Sequence, residues 1–513
     1  MSDGIWEASL STYIEQVREA WRTVGVAVAV VRGEELIYGR GFGRRRRDDA
    51  AEVDVDTLFQ VGSTTKAFTA SAIGMLVDEG MLAWDDRIVD HLPELKLKDP
   101  WLTRHLTVRD VLTHRAGLSI ALLPYLAVID SNSALDQLRY ADANGRFRDC
   151  FEYDNLLYAL AGKLVEAVSS CSWSNFTRMR LLEPLNMTRT RTSPYDIWAR
   201  DRIIPTFLGC PLGEPPPLSE ARIANVAMPH FAESEGCATL LSWGSYDNEA
   251  PAGSMVSSAA DMAKWLSLNL RKGRVGTQQL IDTRTIQELH RVQNPHGKLE
   301  ECFFGETSDG YTLGWWRARY RQRVHLEHGG GMIGFPAYVC LVPEEDLGIV
   351  VLSNTGLGPG RMLSRRYLFH KAVAYWIIDR LLGDQVHDWS SALIAHAREA
   401  DQAAHCEEIE LSRDRNPKPA SCLPFSAYTG HFGDMSGSTG RIAIDLEAGS
   451  LGLSFAGEGA FHARLVPWQG NTHRLQMAPP VANILGPQFA TFQVEDGGQV
   501  NELAVFGSRY RRL

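Results

Sequence analysis

Ser63 and Lys66 stand three residues apart in Gly62-Ser63-Thr64-Thr65-Lys66. The run that follows, Ala67 to Glu79, favours a helix and is stopped by Gly80. The pair is therefore predicted at a helix N-terminus with both side chains on one face. A serine hydroxyl is a weak nucleophile until a neighbour takes its proton, and a helix N-terminus favours the negative charge that develops. Taken alone, the same residues also read as a capping serine beside a solvated lysine.

Tyr153-Asp154-Asn155 precedes a second predicted helix, Leu156 to Ala167. A phenol with an ordinary pKa of about 10 serves as a base near neutrality only beside a cation, which Lys66 would supply. Asn155 can donate to a substrate carbonyl and accept from the lysine. The competing reading is a helix turn capped by Asp154 or Asn155. His328-Gly329-Gly330-Gly331 lies ahead of a predicted hairpin at 337. Its glycines would let a substrate lie along a strand edge, and a backbone N–H there, with that of Ser63, would form an oxyanion hole. A flexible turn with a surface histidine is the plainer alternative.

In this order the three segments resemble the signature of the serine β-lactamases and penicillin-binding proteins. The Tyr-x-Asn motif is similar to the branch holding class C β-lactamases, D-alanyl-D-alanine carboxypeptidases, D-aminopeptidases and esterases. Leu112-Thr113-His114-Arg115-Ala116-Gly117-Leu118 and Pro251-Ala252-Gly253-Ser254-Met255 resemble the same branch. The likeness covers about residues 5 to 385. It implies a Ser63 acyl-enzyme, with Lys66 and Tyr153 sharing the proton transfers and the N–H groups of Ser63 and Gly331 as oxyanion donors. Asn155, His328, Gly329 and Gly330 complete the implied binding set. His328-Gly329 replaces the Lys-Thr/Ser that usually binds a substrate carboxylate. A mostly neutral imidazole and a missing hydroxyl favour a peptidase, esterase or acyltransferase acting on D-amino-acid peptides or a secondary metabolite. A β-lactamase or carboxypeptidase is the alternative, and a non-catalytic binding relative is a second.

Several elements must position these residues. Val24 to Val31 and Leu36 to Gly41 read as a hairpin, and Ala337 to Val342 with Gly348 to Ser353 as another. A helix from about Leu363 ends at Gly383, and an amphipathic first helix carries Trp6, Leu10, Tyr13, Ile14, Val17 and Trp21. The expected fold is α/β (α+β): a discontinuous antiparallel-sheet domain over 1–400, flanked by helices and carrying a helical insert at roughly 68–325. Residues 187–252, with Pro215-Pro216-Pro217, read as a long surface excursion. A charged linker is expected at 401–422. Six short segments between Tyr428 and Phe506 predict a small antiparallel β-barrel over 423–513, similar to a lipocalin-like domain.

The chain of 513 residues carries a formal net charge of −10, which disfavours nucleic-acid binding. Arg44 to Arg47 run straight into Asp48 and Asp49 and read as a solvated loop. The absence of a signal sequence, of an apolar span and of paired cysteines among the eight present suggests a cytoplasmic protein with reduced thiols. The expected partner is a peptide or small-molecule substrate, without membrane, cofactor or metal. Gly-x-Ser-x-Gly, His-Glu-x-x-His and the phosphate-loop spacing are all missing, which disfavours an α/β-hydrolase, a zinc hydrolase and a nucleotide binder.

Overall fold

A computed structural model describes residues 3–119, 135–204, 214–232, 238–299, 302, 306–356, 367–413, 423–433, 442–447, 449–455, 461–477, 482, 487–506 and 508–513. β1 (Gly25–Arg32) and β2 (Glu35–Gly43) join five later strands in one sheet. These are β3 (Thr307–Tyr311), β4 (Trp316–Tyr320), β5 (Arg323–Met332), β6 (Phe335–Val342) and β7 (Leu347–Ser353). Their order is β3-β4-β5-β6-β7-β1-β2, and every neighbouring pair is antiparallel. Sequence-distant strands thus lie side by side, as a split domain requires. β1 is enclosed on both faces, which explains its unbroken apolar sequence. Each such buried valine contributes about 1.5–3 kcal/mol.

Around the sheet lie α1 (Asp3–Ala20), α2 (Thr65–Asp78), α3 (Asn155–Ser169), α4 (Ala259–Leu270), α5 (Leu368–Leu381) and α6 (Trp389–Arg413). Val26, Val28, Tyr338, Cys340 and Val351 face α1 and α5 on one side. Ala27, Ala29, Val339, Val350 and Leu352 face the other side, with Phe68, Leu160 and Trp265 from α2, α3 and α4. The stripe read from α1 is buried as expected, except that Tyr13 is half-buried and stacks on Trp376 at 5.1 Å. Gly383 follows α5 at φ +75°, a backbone that suits glycine, while Leu363 lies outside the described residues.

Two boundaries and one burial pattern differ from the sequence reading. The helical insert gives way to sheet at Thr307 rather than near 325, because β3 and β4 are polar strands whose Arg317 and Arg319 pair with Asp309. α6 runs to Arg413 through the first part of the expected linker; its charged residues suit a helix as well as a loop, and 414–422 lie outside the described residues. The 187–252 stretch is not confined to the surface, since Trp198, Met228, Trp243 and Tyr246 are buried. Within it, 205–213 and 233–237 lie outside the described residues.

The C-terminal strands close into an eight-stranded antiparallel barrel. They are β8 (Gly430–Gly433), β9 (Ile442–Glu447), β10 (Ser450–Phe455), β11 (His462–Gln469), β12 (Thr472–Met477), β13 (Phe489–Val494), β14 (Val500–Val505) and β15 (Ser508–Arg512). The pattern reading misses β11, which Pro467 interrupts, and β15, where arginines hide the inward Tyr510. Arg441, Cys210, Cys237 and Cys422 lie outside the described residues, and the five described cysteines are free thiols. Among the described residues no helix is long and apolar enough to cross a membrane.

Candidate active site

Ser63 sits in a single 3-10 turn, Gly62–Thr64, that runs directly into α2. Gly62 adopts φ +51°, and a Cβ there would lie 2.6 Å from the backbone nitrogen of Gly331. A Cβ on Gly330 would lie 1.8 Å from the carbonyl oxygen of Val61. The glycines therefore let β5 press backbone to backbone against the serine turn. His328 to Gly331 are part of β5, not a turn ahead of it. Gly329 turns its Cα face away from the serine turn, against the ring of Tyr367.

Register makes the edge of this strand useful. β4 pairs with β5 only from Arg323 to Glu327, whereas β6 pairs with it as far as Met332. Among the described residues, the His328–Met332 half of β5 therefore has a strand on one side only.

Lys66, fully buried, reaches three groups. Nζ lies 3.2 Å from Ser63 Oγ, 2.5 Å from Asn155 Oδ1 and 2.9 Å from the carbonyl oxygen of Ala252. It also stands 4.8 Å from the centre of the Tyr153 ring and 5.3 Å from that of Tyr158. Asn155 begins α3, and Asp154 caps it by accepting from the N–H of Leu156 at 2.8 Å. The capping and binding readings of Tyr153-Asp154-Asn155 thus coexist, with Asp154 as the cap. Tyr153 itself is 41% exposed at the mouth of the site.

Burial lowers the Lys66 pKa to about 7, against the opposing pull of Glu249 and Asp154. His328 is also buried, and burial with the nearby Lys66 lowers it to about 3, so its imidazole is neutral. Its Nε2 lies 3.1 Å from the Tyr311 hydroxyl. Asp154 is pushed well above the usual carboxyl range by burial and by Glu249. Burial likewise raises Glu249 to about 7, against the Tyr246 hydroxyl bonded to it and the attraction of Lys66.

The structure therefore brings together Ser63, Lys66, Tyr153, Asn155, His328, Gly330 and Gly331. It adds residues that the motif reading did not single out. His114 lies in a quoted segment but showed no role there. Buried at φ +55°, it accepts from the N–H of Asp154 at 3.1 Å and stacks on Tyr153 at 4.4 Å. Tyr311 supports His328, and Glu249 sits just ahead of the Pro251-Ala252-Gly253 segment. A buried acid beside that segment has no sequence periodicity to reveal it.

The sequence model of the Beta-lactamase family matches residues 10–374. The chain belongs to this family, and it is an enzyme of the serine hydrolase class that the family comprises. It is 24% identical over 438 residues to the unguisins hydrolase ungD' of Aspergillus campestris, covering 82% of this chain and 74% of that protein. It superposes on the octameric penicillin-binding protein homologue from Pyrococcus abyssi with a TM-score of 0.58 and 20% identity, over 100% of this chain and 99% of the other. It superposes on the D-amino acid amidase from Ochrobactrum anthropi with a TM-score of 0.55 and 20% identity, over 76% of this chain and 99% of the amidase.

Proposed function

We propose that the protein opens an amide or ester through an acyl-enzyme on Ser63 and passes the acyl group to water or an amine. The arrangement around Lys66 Nζ carries this reading. A free amine has two N–H donors and one lone pair. Asn155 Oδ1 and the Ala252 carbonyl can only accept, so they take the two donors, and the lone pair is left for the hydroxyl of Ser63. With its pKa near 7, a large share of Lys66 is the free base at neutral pH.

In this mechanism Lys66 takes the proton as Ser63 Oγ attacks the acyl carbon. The N–H groups of Ser63 and Gly331 receive the developing oxyanion, and Tyr153 protonates the leaving group. Tyr153 then activates water or an acceptor amine for the second step. The one-sided half of β5 suits an extended substrate that pairs with its backbone. The neutral His328 favours an amide or ester of a D-amino-acid peptide or secondary metabolite over a β-lactam or a C-terminal carboxylate. A relative named for hydrolysing unguisins and a structural neighbour named as a D-amino acid amidase support that choice.

The test is covalent labelling followed by a substrate panel. A fluorophosphonate adduct on Ser63, read by intact mass and absent in Ser63→Ala, is expected. No adduct with any acylating probe would remove the mechanism. D-amino-acid p-nitroanilides or p-nitrophenyl esters are expected to turn over faster than nitrocefin, and faster again with added amine if transfer dominates. Prompt nitrocefin hydrolysis would overturn the argument from His328.

A further inference from the structure

We infer that Glu249 is the counter-charge that sets the proton affinity of Lys66, and with it the pH range in which Ser63 is activated. The inference rests on the acyl-enzyme reading above and adds a positioning residue to it.

Glu249 is fully buried immediately ahead of the short helix Ala250–Gly253. The third residue of that helix, Ala252, supplies the carbonyl that holds Lys66 Nζ at 2.9 Å. One carboxylate oxygen, Oε2, accepts from the Tyr246 hydroxyl. The other, Oε1, is buried with no hydrogen-bond partner among the described residues. A buried carboxylate oxygen without a partner is costly unless a nearby charge offsets it. Lys66 and Glu249 each act on the other's ionisation.

The remaining groups around Lys66 leave this pair as the main carriers of charge. Its own helix turn contributes the hydroxyl of Ser63. The start of α3 and the residues just before it bring Tyr153, Asp154, Asn155 and Tyr158. His114 approaches from the loop before Gly117, and His328 from β5. Burial holds both imidazoles neutral, and burial with Glu249 pushes Asp154 well above the usual carboxyl range. Tyr158, raised by burial, is also neutral. Of the two carboxyls that act on Lys66, Glu249 has the larger effect and Asp154 the smaller. Ionised, Glu249 holds a proton on the amine; neutral, it releases the amine to act as a base.

The sign of the effect follows. Removing the carboxylate lowers the proton affinity of Lys66, so the free amine persists to lower pH. The rate of Ser63 labelling by a fluorophosphonate, followed from pH 5 to 9 by intact mass, reads this without a known substrate. Glu249→Gln keeps the side-chain volume and an acceptor for Tyr246, and its acidic limb is expected to move to lower pH by about one unit. Glu249→Asp retracts the charge by one methylene and should move the limb less, in the same direction. Asp154→Asn still caps α3 and should move the limb the same way but by less than Glu249→Gln, as the smaller of the two charges on Lys66. Circular dichroism confirms that each variant is folded. A rate reduced equally at all pH values in Glu249→Gln, or a limb that coincides with the wild type or moves to higher pH, would overturn the inference. Absence of labelling in the wild type at every pH overturns the acyl-enzyme reading instead, and this inference with it.

Discussion

Two buried lysines lie on opposite faces of the sheet, and their proton affinities shift in opposite directions. Lys371 of α5 stands 3.0 Å from Glu327 and 3.3 Å from Glu306, while His325 reaches the same two carboxylates at 3.2 and 3.1 Å. Burial pulls the proton affinity of Lys371 down, but the two carboxylates outweigh it, and the amine is held well above its usual range. The same carboxylates raise His325 to about 9 against its burial. The carboxylate oxygens and imidazole nitrogen of Glu306, His325 and Glu327 lie within 4.8 Å of one another, a spacing a divalent ion could bridge. Lys371 already supplies a cation there. Lys66 is just as buried, yet its hydrogen-bond partners are a hydroxyl, an amide and a carbonyl. Burial therefore dominates, and its pKa falls to about 7. A buried lysine between two carboxylates is a fixed charge; one among neutral dipoles is a base.

The contrast can be broken from either side. Lys66→Met should lower the rate of Ser63 labelling by about 10²–10⁴-fold, the usual weight of a positioned general base. Its thermal midpoint should hold or rise, since the substitution removes a desolvated amine. A labelling rate within a few-fold of wild type would shift the proton transfer to Tyr153. Lys371→Met should do the reverse, costing about 3–5 kcal/mol in urea denaturation by leaving His325 as the one cation beside two buried carboxylates. A loss below about 1 kcal/mol would mean that the cluster takes up a proton or water in the lysine's place.

Smaller effects sharpen the same comparison. Between pH 5 and 7 wild-type labelling should rise about tenfold per pH unit, then level off above the Lys66 pKa of about 7. A flat profile would show that the amine is already free at pH 5. Stability should carry the matching sign. The unfolded chain binds the Lys66 proton up to about 10.5 and the folded one only to about 7, so the wild type gains stability relative to Lys66→Met as pH rises through that window. His325 acts oppositely, because its raised folded pKa contributes stability that is full below 6.5 and lost as pH rises through about 9. Urea midpoints of the wild type and Lys66→Met at pH 7 and 10 check this, and a difference that does not change with pH would contradict the assigned burial of Lys66.

Much of this was legible before any coordinates. Ser63, Lys66, Tyr153 and Asn155 announce themselves by type, order and local spacing, and the paired hairpins announce a split sheet. Gly330 was read as room for substrate, whereas its stricter use is to admit the carbonyl of Val61. Glu249, His114 and Lys371 carry no pattern that marks them, because what matters about each is a neighbour far away in the chain. β4 and β15 escape the pattern reading because their arginines mask short strands, one inside the sheet and one in the closed barrel.

The sequence by itself therefore determined the class of fold and the pairing of Ser63 with Lys66, the proposed nucleophile and its amine partner, since helix geometry makes a three-residue spacing a contact. It did not determine how the amine would be charged. That depends on burial and on which carboxylates lie nearby, and only the tertiary structure placed Lys66 beside neutral dipoles and Glu249, and Lys371 between Glu306 and Glu327.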